Sequence, residues 1–231
     1  MDVTSGSIGK DGRDADENAD RVGTGVSRFA LADGASDASY PGIWAELLVW
    51  SFLQGRNPFQ PSTLSHLRWR WNAKTRPAAH GSPWYVVRKQ AQGSAAAFVG
   101  LILDTENHRF TVSALGDSCL LHLRDRAVVN AGPLDSSSQF TRTPALLTTH
   151  TGDEDCRTRP WQLTERYLPG DSFVLASDAL AKYLLHRREQ GLSLDLAELG
   201  DGGPHFKAWV TEARAERALD NDDTTFCLVR P

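Results

Sequence analysis

Short apolar runs punctuated by Gly and Asp recur along the chain, and they predict β-strands. Phe29-Ala-Leu-Ala-Asp33-Gly34 predicts a strand at about 27–33, Ser172–Ser177 another, and Thr224–Arg230 a closing one. Phe-, Val-, Leu- and Thr-rich runs bounded by turn residues fit a pleated surface. Ala95–Asp104 and Arg109–Leu115 flank Thr105-Glu-Asn-His108, and Cys119–Leu123 and Ala127–Ala131 flank Arg124-Asp125-Arg126. Such spacing predicts two hairpins. Consecutive hairpins imply antiparallel sheet, because parallel strands need longer crossovers.

Helical periodicity appears in four places. After Pro41-Gly42, the residues Ile43, Trp44, Leu47, Leu48, Val49, Phe52 and Leu53 predict a helix apolar nearly all round, which belongs in an interior. Leu64, Leu67 and Trp71 recur at i, i+3, i+7 and predict a helix over 62–74, inside a Trp-rich segment at about 55–92. Asp178-Ala-Leu-Ala-Lys-Tyr-Leu-Leu starts a helix where a strand ends, and Phe206, Trp209, Val210 and Ala213 mark another over 204–218. Residues 9–21 are almost wholly polar and read as a loop, as do 132–165. Leu168-Pro-Gly-Asp171 reads as a turn. The pattern is one α+β domain over residues 1–231, with antiparallel sheets and helices outside.

Composition narrows the class. A chain of 231 residues, 40% hydrophobic and 23% charged, is long enough to bury a core and ordinary for a globular protein. Its net charge of −4 argues against wholesale nucleic-acid binding. Trp69-Arg70-Trp71 with Arg68, Lys74 and Arg76 fits an amphipathic helix with a solvated basic side better than a nucleic-acid surface. Cys119, Cys156 and Cys227 form no CxxC pair, which favours reduced thiols in a reducing compartment. No secretory signal opens the chain, and the run Ala95–Leu103 falls short of the roughly 18 residues of a membrane helix. A cytoplasmic protein with no membrane partner is the expectation.

The candidate chemistry lies in aspartates. Asp33, Asp117, Asp178 and Asp222 each stand at the end of an apolar run. If those strands lie side by side, their ends gather carboxylates, whose usual counter-charge is a hard divalent cation such as Mg²⁺ or Mn²⁺. The chain has no Gly-x-Ser-x-Gly elbow, no P-loop and no His-Glu-x-x-His. His80, His108, His150 and His205 follow no ligand spacing.

Six segments, in order along nearly the whole chain, resemble the metal-dependent type 2C protein serine/threonine phosphatases, in particular the compact bacterial ones. They are Asn18-Ala-Asp20, Phe29-Ala-Leu-Ala-Asp33-Gly34, Gly93-Ser94-Ala-Ala, Gly116-Asp117-Ser118, Pro169-Gly-Asp171-Ser-Phe-Val-Leu-Ala-Ser-Asp178 and Asp222-Asp223-Thr-Thr225. The resemblance implies a four-layer α-β-β-α sandwich, two antiparallel sheets flanked by helices, with a metal centre at one end. It also implies removal of phosphate from phosphoserine or phosphothreonine in proteins by a metal-activated water, with two Mn²⁺ or Mg²⁺ ions and a possible third. By the same resemblance Asp33 bridges two metals, Gly34 offers a carbonyl, and Asp178 and Asp222 complete the first metal's shell. Asp20 holds waters of the second metal, and Asp117 serves the third. A phosphoprotein substrate and an opposing Ser/Thr kinase are the implied partners.

The sequence departs from that pattern in places. Ala15 stands where the family usually carries a phosphate-binding arginine, Ala19 replaces a Glu, Ala179 a Gly, and Ala35-Ser-Asp-Ala-Ser-Tyr40 a Gly-rich stretch. Lys10 and Arg13, on the same polar loop, are the candidates to hold phosphate instead. A catalytically weak relative that regulates by binding is an alternative, and hydrolysis of another phosphate ester is a further one.

Overall fold

The computed structural model describes residues 1–76, 83–150, 159–194 and 196–231. His80 and Cys156 lie outside the described residues. Eleven strands and five α-helices are described: β1 (Asp2–Ile8), β2 (Arg21–Thr24), β3 (Arg28–Gly34), α1 (Pro41–Leu53), α2 (Pro61–Thr75), α3 (Trp84–Ala91), β4 (Ala95–Asp104), β5 (Arg109–Leu115), β6 (Cys119–Arg124), β7 (Ala127–Gly132), β8 (Leu147–Thr148), β9 (Trp161–Arg166), β10 (Ser172–Ala176), α4 (Asp178–Glu189), α5 (Pro204–Ala215) and β11 (Thr224–Arg230). One sheet runs β1-β11-β10-β6-β7 and the other β2-β3-β4-β5-β9, with β8 also paired to β4. All pairings are antiparallel.

The central strands bury both faces, so each contributes alternate residues to two cores. Phe29 and Leu31 of β3, Phe173 and Leu175 of β10, and Cys227 and Val229 of β11 meet between the sheets. Their neighbours turn outward: Ala30 and Ala32 pack with Trp44, Leu48 and Phe52 of α1 and Leu67 and Trp71 of α2. Val174, Phe226 and Leu228 pack with Leu180 and Leu184 of α4 and Phe206 and Val210 of α5. That is the expected α-β-β-α layering. α1 seats so closely that a Cβ on Gly100 of β4 would come within 2.7 Å of the Phe52 ring.

Four strands correct the sequence reading. β8 and β9 lie in a stretch read as loop, β2 begins at the end of another, and β1 carries no apolar alternation. β1, β2 and β9 sit at sheet edges, and β8 pairs with β4 alone. β1 fully buries Gly6 alone, and β9 turns Gln162, Thr164 and Arg166 to solvent. An edge strand needs only one partner, and its polar side reads like a loop.

α2 matches its expected periodicity, with Leu64, Leu67 and Trp71 buried. Its basic residues are engaged within the fold: Arg68 Nε donates to the Thr148 carbonyl at 3.0 Å, Arg70 stacks over Trp50 at 4.5 Å, and Lys74 meets Glu46 at 4.0 Å. Among the described residues, no helix is long and apolar enough to cross a membrane.

Candidate metal centre

Strand direction brings the aspartates together. β3 ends at Gly34, which pairs with Ala96 near the start of β4, and Leu115 at the end of β5 pairs with Phe98. In the other sheet Ala176, ending β10, pairs with Cys119 at the start of β6 and Phe226 near the start of β11, while Ile8, ending β1, pairs with Thr224. Asp33 therefore closes β3, and Gly116-Asp117-Ser118 crosses from one sheet to the other. Asp178 opens α4 just past β10, and Asp222 precedes β11. All four reach one end of the sandwich, where Asp33, Asp117, Asp178 and Asp222 line a cleft of about 860 Å³. Asp20 lies just before β2, whose first residue Arg21 pairs with Ala32.

The electrostatics of this end are unfavourable without a cation. Burial raises the Asp33 carboxyl well above its ordinary range, and repulsion from Asp20, Asp178, Asp117 and Asp222 adds to it. Burial pushes Asp178 up to about 8, helped by Asp117, Asp222 and Asp20. Asp117 rises to about 6, again mainly through burial. Asp20 is 3% exposed, and among the described residues no formed hydrogen bond reaches either of its carboxylate oxygens. Burial raises its pKa to about 7, although the hydroxyls of Thr225 and Ser177 lie close enough to oppose that rise. A buried carboxylate without a partner costs several kcal/mol, so it stays neutral or takes a counter-ion.

These residues suit a hydrated hard cation. The donors are all oxygens, the preference of Mg²⁺ and Mn²⁺. Among the described residues no three His, Cys, Asp or Glu side chains close around one point. Mg²⁺ keeps several waters and takes one or two carboxylates, so a loose ring of aspartates fits it where a dry cage is absent.

Local structure fixes each donor. Asp178 is the first residue of α4, and its Oδ1 accepts from the Ala179 amide at 2.5 Å. Gly34 is required by packing: a Cβ there would meet Pro41 Cβ at 2.8 Å and the Ala19 carbonyl oxygen at 3.0 Å. Ala35, Ser36 and Asp37, from the segment replacing the expected Gly-rich stretch, line the cleft. Lys10 places its Nζ 3.7 Å from Asp222 Oδ1, at the edge of the centre. Arg13, by contrast, is exposed, and its side chain reaches none of these aspartates. Arg21 is turned away, with Nη1 donating to the carbonyls of Asn18 at 2.8 Å and Asp20 at 2.7 Å.

Two residues that the sequence reading did not single out hold the centre's frame. Asp223 accepts from the amides of Lys10 at 2.9 Å and Ala19 at 2.7 Å, tying loop 9–20 to the start of β11. Arg214, buried on α5, donates to the carbonyls of Gly9 at 3.0 Å and Asp222 at 2.5 Å and to Asp11 Oδ1 at 3.0 Å. Nothing in a lone helical arginine signals this. Asp223, adjoining a predicted ligand, could have been asked where its own carboxylate goes.

No family model and no curated protein sequence matches the chain. Solved structures do. The Mycobacterium tuberculosis serine/threonine phosphatase PstP aligns over 98% of this chain and 97% of its own, at TM-score 0.60 and 15% identity. The catalytic domain of a serine/threonine protein phosphatase PstP in complex with two manganese ions aligns over 98% of this chain and 96% of its own, at TM-score 0.58 and 17% identity. The serine/threonine phosphatase Stp1 from Staphylococcus aureus aligns over 100% and 95%, at 0.65 and 14%. From its first strand to its last, the chain has the fold of these bacterial serine/threonine phosphatases.

Proposed function

We propose that the chain is a metal-dependent phosphatase that removes phosphate from phosphoserine and phosphothreonine in proteins. The observation that carries this reading is the convergence of Asp20, Asp33, Asp117, Asp178 and Asp222 at one end of a sandwich shared with such phosphatases, including a buried carboxylate that forms no hydrogen bond among the described residues. Asp33, Asp178 and Asp222, with the Gly34 carbonyl, would hold two Mn²⁺ or Mg²⁺ ions, with Asp20 on the waters of the second and Asp117 at a third. Bound there, such ions would supply an acidified water and charge stabilisation for the phosphoryl group. The chain contributes position. The start of α4 fixes Asp178, the β5–β6 crossing fixes Asp117, and Asp223 with Arg214 fixes the loop that carries Lys10 and Asp20. Lys10, beside Asp222, adds a point charge within reach of an incoming phosphate, and Arg13 lies farther out on the same loop.

The partners that follow are a phosphoprotein and the kinase that opposes its dephosphorylation. A reducing compartment such as the cytoplasm suits the free buried thiols of Cys119 and Cys227. The test is hydrolysis of a phosphothreonine peptide with Mn²⁺. Wild type should turn over and lose activity on chelation, and Asp33→Asn should lose more than the roughly 10–100-fold that even an outer partner of a metal ligand costs. Activity that survives chelation contradicts the reading. Peptide binding without turnover favours a regulatory binding module, and hydrolysis of other phosphate esters alone redirects the substrate class.

A further inference from the structure

Residues 133–146 run between β7 and β8 beside the cleft, and both ends of this strap are fixed. Near its start Ser136 Oγ and the Ser137 amide each donate to Glu189 Oε1 of α4 at 2.8 Å, and Ser137 Oγ donates to Oε2 at 2.5 Å. At its end β8 pairs with β4, and the Leu147 carbonyl accepts from Trp44 Nε1 at 2.7 Å. Phe140 packs on the α4–α5 side and Ala145 on the α1–α2 side, so the strap bridges the two helical layers. Its middle, Thr141-Arg142-Thr143, lines the cleft with the aspartates.

Arg142 is exposed there, and among the described residues no hydrogen bond or ion pair engages its guanidinium. Lys182, which also lines the cleft, is paired with Asp220 at 2.6 Å, and Lys10 stands at the edge of the centre, 3.7 Å from Asp222 Oδ1. Arg21 is committed to backbone carbonyls. A phosphate monoester carrying close to two negative charges must enter among carboxylates, and a guanidinium fork grips two of its oxygens at once. Because the strap is anchored at both ends, the ordering needed is confined to the side chain itself.

We propose that Arg142 receives the phosphate of the substrate, from the β7–β8 strap that lines the cleft with Asp33, Asp117, Asp178 and Asp222. This rests on the phosphatase reading above. The experiment compares wild type, Arg142→Ala and Arg142→Lys, each loaded with Mn²⁺. It measures inorganic phosphate binding by calorimetry, Mn²⁺ binding, and steady-state kinetics on a phosphothreonine peptide.

Arg142→Ala should weaken phosphate about ten- to a hundredfold, the loss of one charged hydrogen-bonding group. KM should rise by a similar factor, more than kcat falls, and Mn²⁺ affinity should stay unchanged. Arg142→Lys should recover part of the loss, since a point charge replaces a fork. Unchanged phosphate affinity in Arg142→Ala overturns the proposal, as does a raised KM on peptide alone, which would place Arg142 against a flanking residue. Weakened Mn²⁺ binding in Arg142→Ala would reveal a structural role and overturns it too. If wild type fails to hydrolyse the peptide, the phosphatase reading falls, while the phosphate titration still decides Arg142; wild type that binds no phosphate overturns the proposal.

Discussion

Two buried aspartates of this chain have opposite circumstances. Among the described residues Asp20 has only nearby hydroxyls and no formed hydrogen bond to its carboxylate, whereas Asp171 has several. Arg124 grips Asp171 through Nε at 2.9 Å and Nη2 at 2.8 Å, His122 Nε2 lies 2.8 Å away, and the Leu168 amide donates at 2.8 Å. Burial pushes the Asp171 carboxyl up, but the Arg124 fork, the Leu168 amide and His122 together outweigh it and hold it at about 2. The Pro-Gly-Asp turn is thus a structural clamp between β6 and β10. Asp171→Ala should destabilise the fold by about 1–3 kcal/mol near neutrality, because it leaves the buried His122 ring and the Leu168 amide without their hydrogen-bond partner. The folded pKa lies below the ordinary carboxylate value, so the stabilisation is present above about pH 4 and lost as pH falls toward 2. Denaturant melts of wild type and variant should converge over that interval. A difference that persists undiminished at pH 2 would assign the effect to packing.

Among the elements, the central strands were legible because burial on both faces leaves long apolar runs, as in Ala95–Leu103 and Phe173–Ala176. Both hairpins were legible because turn residues bound them. The edge strands β1, β2 and β9 were not, since one sheet partner suffices for them and Ser-Gly-Ser or Thr-Glu-Arg looks like loop. The five aspartates could be named from their places at run ends and from resemblance. What pins them could not, because Asp223 and Arg214 act across 204 and 205 positions of sequence. Arg142 likewise sits in a stretch without periodicity, and only the fold puts it beside the cleft. The seat of α1 gives a prediction at this scale. Gly100→Ala would push a methyl group into the Phe52 ring, whose nearest carbon would lie 2.7 Å away. Overpacking of that kind costs about 1–3 kcal/mol. Melting should show the loss, and Gly100→Ala combined with Phe52→Leu should recover part of it; equal melting of wild type and Gly100→Ala would contradict the close seat.

For the molecule as a whole, the two sheets concentrate carboxylates at one end, and a bound cation would neutralise them. Burial and mutual repulsion raise Asp33, Asp178, Asp20 and Asp117 together, which is the electrostatic description of a site awaiting a counter-ion. Binding to the folded state alone adds roughly 2.7 kcal/mol at 100 times the dissociation constant, so Mn²⁺ should raise the melting temperature. The most direct measurement is a calorimetric titration of the metal-free protein with Mn²⁺, repeated on Asp33→Asn. The account predicts saturable binding of two ions by wild type and loss of at least one in the variant, with both proteins folded by circular dichroism. Wild type that takes up no Mn²⁺ at millimolar concentration, or a variant that binds as wild type does, would contradict a metal centre built on these aspartates.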